Sequence, residues 1–219
     1  MGRPDLAIVI PAYNEAATIG NIVAQASAYG RVIVVDDCST DTTAEAAGLA
    51  GAVVVSNDTN KGYDGTLETG FAKATELGVR AVVTMDADGE HDPACLADFS
   101  TALLEENIPL VLGIRAKKQR LAEVIMGFYF HARYEVRDIM CGMKGYHLSL
   151  YDENDGFDHV RSVGSELALN SIRRGHKFCQ IPVTGKARVD APRFGNILKA
   201  NFRIFQALWR GTFMRAGAK

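Results

Sequence analysis

Three carboxylates, those of Asp86, Asp88 and Glu90, come directly after the apolar run 81–85. An extended backbone turns Asp86 and Asp88 to the same side, and a turn at Gly89 brings Glu90 within reach. Hard oxygen ligands at this spacing suit Mg²⁺ or Mn²⁺, with coordination positions left open for substrate phosphates. The alternative is a solvated acidic turn, which the position after a buried strand disfavours.

A second acidic segment, residues 36–41, follows the apolar run 31–35 in the same way. If both runs are strands of one parallel sheet, the two acidic loops converge at its carboxyl edge. Carboxylates gathered there repel one another, so we expect a divalent cation, or hydrogen-bonding sugar and base groups, between them. The segment 60–62, Asn-Lys-Gly, adds a cation and a glycine before the next helix, where a phosphate or base could bind.

Strands and helices that position these segments alternate along the first half of the chain. Apolar runs typical of buried strands occur at 6–11, 31–37, 52–55, 81–85 and 110–113. Asn14 is a candidate N-cap for the first helix, and Thr42–Glu45 reads as a capping box for the second. Further helices are predicted over 66–77, 120–137 and 197–214. The pattern predicts an α/β fold with a mostly parallel sheet flanked by helices, in which ligands bind at the carboxyl ends of the strands.

The near-neutral net charge hides an asymmetry between the two halves of the chain. The 219 residues carry a formal charge of −2, yet residues 1–110 hold 5 Lys and Arg against 17 Asp and Glu, and residues 111–219 hold 19 against 9. The halves therefore carry −12 and +10. This split indicates one sub-site that holds cations and another that meets anions or an anionic surface, the alternative being a chance distribution of solvated charges.

Cysteine spacing and hydropathy exclude several other classes of protein. Cys38, Cys95, Cys141 and Cys179 form no C-x-x-C pair, so neither a zinc knuckle nor a compact disulfide framework is indicated. No apolar run reaches the roughly 18 residues that span a bilayer, and the first five residues lack the apolar core of a signal peptide. We expect one cytoplasmic domain over 1–219 that binds no nucleic acid.

Five segments resemble, in order, the motifs of the family 2 glycosyltransferases, and among these the dolichol-phosphate mannosyltransferase-like branch. They are Ile10–Glu15, Val35–Thr43, Asn60–Gly62 with Gly70, Met85–Pro93 and Gly113–Arg115. The resemblance implies the Rossmann-like GT-A fold, a UDP- or GDP-sugar donor and an inverting, metal-dependent transfer of the sugar. It divides the chain into a nucleotide-sugar and metal half (1–115), an acceptor half (116–196) and a terminal helix (197–214).

The resemblance also implies roles for individual residues. The residues that would line the nucleotide are Pro11, Ala12, Tyr13 and Glu15, with Asp37 at the base and Lys61 near it. Those that would hold the diphosphate and Mg²⁺ or Mn²⁺ are Asp86, Asp88 and Glu90, with His91 supporting them. On the acceptor side, Asp138–Tyr146 resembles a segment of the branch with Cys141 at its serine position.

Two acceptor classes fit the basic half. A dolichyl or undecaprenyl phosphate has a second pKa of about 6, so it needs no base and only an anion clamp, for which Arg115, Arg133 and Arg137 are the candidates. A hydroxyl of a glycan or glycolipid needs a carboxylate to take its proton, for which Glu166 is the candidate. Glu166 could also be a helix N-terminal carboxylate. Less favoured alternatives are a sugar nucleotidyltransferase, whose first loop would be Gly-rich, and a non-catalytic nucleotide-sugar-binding module.

Aromatic and basic residues in the last predicted helix suggest a membrane contact. Leu198, Phe202, Phe205, Trp209 and Phe213 recur at helical spacing beside a basic ridge. Such a helix suits the headgroup plane of an anionic membrane, whereas core packing or an oligomer contact are the alternatives. The apolar segment 124–130 lies close in sequence to the candidate arginines. We therefore expect peripheral contact with the cytoplasmic face of the membrane and a lipid-linked acceptor.

Overall fold

The computed structural model describes residues 3–116, 121–159 and 162–185. The strands are β1 (Arg3–Ala12), β2 (Gly30–Asp36), β3 (Val53–Ser56), β4 (Ala81–Thr84), β5 (Leu110–Arg115), β6 (Lys144–His147) and β7 (Phe178–Val183). The helices are α1 (Ile19–Ala26), α2 (Thr43–Leu49), α3 (Gly62–Glu76), α4 (Leu96–Ser100), α5 (Leu121–Tyr134), α6 (Leu148–Asn154) and α7 (Glu166–Arg173). A 3₁₀ turn (Pro93–Cys95) precedes α4, and a π-helical turn (Thr101–Glu105) follows it.

The seven strands form one sheet in the order β3-β2-β1-β4-β6-β5-β7. The first four are mutually parallel, as their apolar runs predicted, and the side chains of β1 from Leu6 to Ile10 are fully buried. Ala12 pairs with Asp36 on one side of β1, and Val9 pairs with Thr84 on the other. The loops that follow β2 and β4 therefore flank the end of β1, which confirms that the acidic segments meet at one edge.

β6 is antiparallel to both of its neighbours, β4 and β5, and the sequence pattern did not predict it. Its residues 144–147, Lys-Gly-Tyr-His, show neither an apolar run nor a clear alternation. Lys144 pairs with Thr84 of β4 and with Leu112 of β5, and the Thr84 hydroxyl donates to the Gly142 carbonyl at 2.7 Å. The strand thereby brings the segment that precedes it against the acidic loop after β4.

The predicted cap at Asn14 is wrong, whereas Thr42 does occupy the N-cap position of α2 but makes no capping bond from its side chain. α1 begins only at Ile19. The Asn14 amide donates to Ser39 Oγ at 2.9 Å, and its Oδ1 accepts from the Thr40 amide at 2.8 Å. Thr42 makes no side-chain cap to α2; the Asp41 carboxylate accepts from the amide and the hydroxyl of Thr43. The two bonds of Asn14 join the loop after β1 to the loop after β2.

Two apolar cores lie on opposite faces of the sheet. One packs α3, α6, α7 and the end of α5 on the sheet, and the other packs α1, α2 and α4. Gly70 lets α3 approach closely, because a Cβ there would lie 2.3 Å from Val9 Cγ1. Within the described ranges, no helix is both long and apolar enough to cross a bilayer. The predicted helix over 197–214 lies outside the described residues.

Candidate functional site

A cavity of about 180 Å³ opens at the carboxyl ends of β1 and β2. The residues that line it are Pro11, Ala12, Tyr13, Asp37, Asn60, Gly62, Tyr63 and Thr66. Four residues that the resemblance assigned to the nucleotide thus share one cavity, and Tyr13 leaves 37% of its surface exposed there. Lys61 and Glu15 do not line it.

Asp37 shapes this cavity by holding the start of α3. Its carboxylate is 4% exposed and accepts from Asn57 Nδ2 and the Lys61 amide on Oδ1, each at 2.8 Å. Its Oδ2 accepts from the Gly62 amide at 2.9 Å. Two successive peptide groups of the 60–62 segment are therefore fixed against β2 by one carboxylate, a charge-assisted arrangement that a helix N-terminus favours.

The side chains of Lys61 and Glu15 contact other groups than the donor cavity, although the Lys61 backbone lies beside Asp37. The Lys61 side chain extends along α3, and its ammonium donates to Thr69 Oγ1 at 3.3 Å. Glu15 is 7% exposed, and its amide donates to Thr43 Oγ1 at 2.8 Å. Thr18, 3.4 Å from a Glu15 carboxylate oxygen, donates to the Ala87 carbonyl at 2.7 Å. Thr18, which follows Glu15 closely in the chain, thus contacts the acidic loop after β4 from the α1 side.

The acidic loop after β4 presents its carboxylates separately. Asp86 Oδ1 accepts from the Tyr63 hydroxyl at 3.1 Å, and 30% of the Asp86 side chain is exposed. Asp88 Oδ1 accepts from the Glu90 amide at 3.0 Å across Gly89, whose φ is 76°. Among the residues that the structure describes, no three His, Cys, Asp or Glu side chains lie close enough together to hold a metal. The predicted three-ligand set is therefore not assembled.

The acidic loop still fits a divalent cation that is held partly by the protein and partly by the phosphates of a substrate. Mg²⁺ is commonly held by one or two protein carboxylates, with substrate phosphates completing its coordination. Asp86 and Asp88 lie on one short turn, and Tyr63, which lines the donor cavity, donates to Asp86. These residues fit a metal that arrives with a diphosphate better than one held by the protein alone.

His91 and Gly142 enclose Asp86 from the other side. His91 is 5% exposed; its Nδ1 accepts from the Asp86 amide at 3.5 Å, and its Nε2 lies 4.0 Å from Cys141 Sγ. Burial raises the pKa of Cys141 to about 12, so it remains a thiol. A Cβ on Gly142 would lie 2.0 Å from Asp86 Oδ2. The segment before β6 therefore packs directly on the carboxylate.

The predicted arginine clamp is not assembled either, because Arg115 is already paired. Its Nε and one terminal nitrogen donate to the two oxygens of Asp138 at 2.8 and 2.9 Å. Burial alone would raise the pKa of Asp138, but the hydrogen bonds and charge of Arg115 outweigh it and lower that pKa. Arg133 lies over the ring of Tyr134 at 4.9 Å, and the Arg137 amide donates to Gln180. Both of these arginines are exposed.

Glu166 begins α7 and is 2% exposed. Its Oε2 accepts from the His159 amide at 2.6 Å, and its Oε1 lies 3.0 Å from His159 Nδ1. Burial lowers the pKa of His159, but this partner outweighs it and raises that pKa. The arrangement favours the helix N-terminal interpretation of Glu166 over that of a base directed at an acceptor.

Two site residues escaped the sequence analysis. Lys144 is 3% exposed and donates from Nζ to the Cys141 carbonyl at 2.6 Å. Its pKa is lowered, because burial outweighs the charges of Asp138 and Asp86, which raise it. A lysine in a short strand usually occupies a solvent-facing position, so its burial was not predicted from the residue types. Tyr63 likewise carries no motif that predicts its contact with Asp86.

Several known proteins are similar in sequence to this chain. Residues 7–147 match the model of the family described as glycosyl transferase family 2. A dolichyl-phosphate hexose transferase of Haloferax volcanii is 27% identical over 208 residues, covering 84% of each chain. An undecaprenyl-phosphate mannosyltransferase of Micrococcus luteus is 26% identical over 250 residues, covering 95% of this chain and 98% of that protein.

Among solved structures, glucosyl-3-phosphoglycerate synthase from Mycobacterium tuberculosis, in complex with Mn²⁺ and UDP-glucose, superposes with a TM-score of 0.77. Its sequence is 22% identical, and the match covers 94% of this chain and 78% of that one. The predicted GT-A fold is thereby confirmed. With the family model spanning the donor cavity, the acidic loop and β6, the chain belongs to glycosyl transferase family 2 and is a glycosyltransferase.

Proposed function

We propose that this glycosyltransferase moves a sugar from a nucleotide-sugar donor to a polyprenyl phosphate at a membrane surface, with inversion at the anomeric carbon. The observation that carries the proposal is one continuous edge of the sheet. There the donor cavity contacts Asp86 through Tyr63, and Asp86 contacts the basic half of the chain through Gly142. The names of two relatives, which specify dolichyl and undecaprenyl phosphate, support the acceptor class.

The donor half supplies the binding groups for the nucleotide and its diphosphate. The cavity beside Tyr13 and Asp37 takes the nucleoside, either uridine or guanosine. Asp86 and Asp88 would hold Mg²⁺ or Mn²⁺ together with the diphosphate, and Glu90 follows them on the same turn. The bound cation would supply Lewis-acid stabilisation of the charge on the departing diphosphate.

The acceptor half is suited to a group that is already ionised. A phosphate monoester needs no protein base near neutral pH, and arginine is suited to bidentate phosphate contacts. We assign these contacts to the exposed side chains of Arg133 and Arg137, while Arg115 stays paired with Asp138. In the hydroxyl-acceptor alternative Glu166 would have to leave His159, so the contacts favour the phosphate.

An exposed aromatic residue supports a membrane contact on the acceptor side. Phe128 of α5 is 78% exposed, while its neighbour Phe130 is fully buried. His131 and Arg133, one turn further along α5, are exposed as well. An aromatic ring beside basic side chains suits the headgroup region of an anionic bilayer. The helix predicted over 197–214 remains part of this proposal on sequence grounds alone.

A donor screen tests the proposal. UDP- and GDP-sugars are supplied with Mn²⁺, and release of the nucleoside diphosphate is measured with and without undecaprenyl phosphate. We expect release that depends on the lipid phosphate and on the metal. If release of the nucleoside diphosphate depends only on an acceptor with a glycan hydroxyl, the alternative acceptor class is correct. If Asp88→Ala leaves the release of nucleoside diphosphate unchanged for every donor, the metal assignment is wrong.

A further inference from the structure

Tyr63 connects the two acidic loops of the donor site. It is the second residue of α3; its side chain lines the donor cavity, and its hydroxyl donates to Asp86 Oδ1 at 3.1 Å. The preceding residue, Gly62, donates its amide to Asp37 Oδ2 at 2.9 Å. Two consecutive residues thus contact the loop after β2 and the loop after β4, so the gap between the carboxylates is bridged by protein groups.

The Tyr63 hydroxyl is the donor in its bond with Asp86. An ionised carboxylate offers only acceptor atoms, so the phenol O–H donates to Asp86 Oδ1. This bond therefore favours one orientation of the Asp86 carboxylate.

Other contacts restrict Asp86 but do not replace that bond. In the described part of the chain, no other side chain donates a hydrogen bond to the Asp86 carboxylate. His91 Nδ1, 3.8 Å from Oδ2, instead accepts the Asp86 amide. Gly142 limits the space on the Oδ2 side without offering a donor. Rotation of the carboxylate is thus opposed sterically on one side and by Tyr63 on the other.

The ring of Tyr63 is itself held by the acceptor half. A Cβ on Gly164 would lie 3.0 Å from Tyr63 Cε1, so the backbone there packs closely against the ring. That backbone is anchored because the Asp64 carboxylate accepts from the amides of Gly164, at 2.5 Å, and Val163, at 3.3 Å. The position of the Tyr63 hydroxyl therefore depends on both halves of the molecule.

From these contacts we infer that Tyr63 is a positioning residue, which orients Asp86 for a divalent cation and links that carboxylate to the donor cavity. The inference rests on the proposed function only in taking Asp86 as a metal ligand. Partners that orient a metal-binding carboxylate typically contribute 10–100-fold to metal affinity or activity. Loss of the hydroxyl should therefore weaken metal binding while the cavity wall stays in place.

The test compares Tyr63→Phe with Tyr151→Phe. Tyr151 donates its hydroxyl to Glu68 Oε1 at 2.5 Å, so the control removes an equivalent tyrosine–carboxylate bond to the same helix, away from the donor cavity. Mn²⁺ binding is measured by electron paramagnetic resonance, with the metal alone and with UDP or GDP added. Thermal melting of both variants checks the fold, and steady-state release of nucleoside diphosphate gives kcat and the donor KM.

We expect Tyr63→Phe to weaken Mn²⁺ binding in the presence of the nucleoside diphosphate by about 10-fold or more, and to lower kcat more than it raises the donor KM. Tyr151→Phe should retain wild-type Mn²⁺ affinity. Equal Mn²⁺ affinity in Tyr63→Phe and wild type overturns the inference. An equal loss of Mn²⁺ affinity in Tyr63→Phe and Tyr151→Phe overturns it too, as does a wild-type protein that binds no Mn²⁺ with either nucleotide. Lipid-independent turnover would refute the proposed acceptor while the Mn²⁺ comparison still decides the role of Tyr63.

Discussion

Gly142→Ala should displace Asp86 and thereby reduce transfer. The added Cβ would lie 2.0 Å from Asp86 Oδ2, whereas ordinary contacts begin at 3.4 Å, so the carboxylate must move by about 1.4 Å. The φ of Gly142 lies outside the left-handed region, so the backbone tolerates alanine and the perturbation is steric. A misplacement of about 1 Å in a positioned group can cost up to about 100-fold in rate. We expect kcat to fall by about 10–100-fold.

The assay is metal-dependent release of nucleoside diphosphate, normalised to folded protein by thermal melting. Gly145→Ala is the matched control, because it crowds Leu103 Cδ1 at 2.8 Å in the core and does not touch the acidic loop. It should cost about 1–3 kcal/mol of stability from overpacking and leave kcat of the folded protein near wild type. Wild-type kcat and metal dependence in Gly142→Ala would refute the reasoning that the Asp86 position matters for transfer.

Three further predictions concern stability and the membrane. Asp64→Asn should raise the free energy of unfolding by roughly 1–2 kcal/mol at pH 8, because burial and the charge of Asp158 raise the pKa of Asp64 to about 6 and its ionisation costs stability above that pH. In urea titrations this gain should vanish as the pH falls from 6 toward 4, where the wild-type carboxyl is protonated too; a gain independent of pH would contradict the assignment. Asp138→Asn should lower the free energy of unfolding by about 3 kcal/mol at every pH from 5 to 8, since the lowered pKa of Asp138 keeps its pair with Arg115 intact over this range. A negligible loss in the same urea titrations would show that the pair is dispensable. Phe128→Ser should leave the Tm unchanged, because Phe128 is 78% exposed, and should reduce flotation with anionic phosphatidylglycerol vesicles; undiminished flotation would remove Phe128 from the membrane contact.

Much of the donor half could be predicted from the sequence because its signals are local. Buried parallel strands read as continuous apolar runs, and the acidic residues follow those runs directly, so the convergence of the two loops followed from the topology. Even there, Asn14 does not cap α1, and Thr42 stands at the N-cap of α2 without a capping bond from its side chain. Their side chains, or those of their neighbours, find partners across loops, and such partners compete with local capping.

The acceptor half was harder because its chemistry depends on long-range pairing. The arginine clamp was inferred from charge, yet Arg115 is paired with Asp138, 23 positions away, and Glu166 is paired with His159. Opposite charges that are buried near one another satisfy each other, and a sequence does not show which pairs will form. The exposed Arg133 and Arg137 remain candidates because no buried carboxylate was found as their partner among the described residues.

By itself the sequence determined the positions of the first four strands along the chain, the acidic turns that follow two of them and the family to which the motifs belong. Those properties depend on residue types a few positions apart. Only the tertiary structure decided that β6 inserts antiparallel between β4 and β5, placing Gly142 against Asp86 and burying Lys144. Only it decided that Tyr63 joins the nucleotide cavity to that carboxylate. These contacts arise from burial and strand pairing between distant segments, which no local pattern encodes.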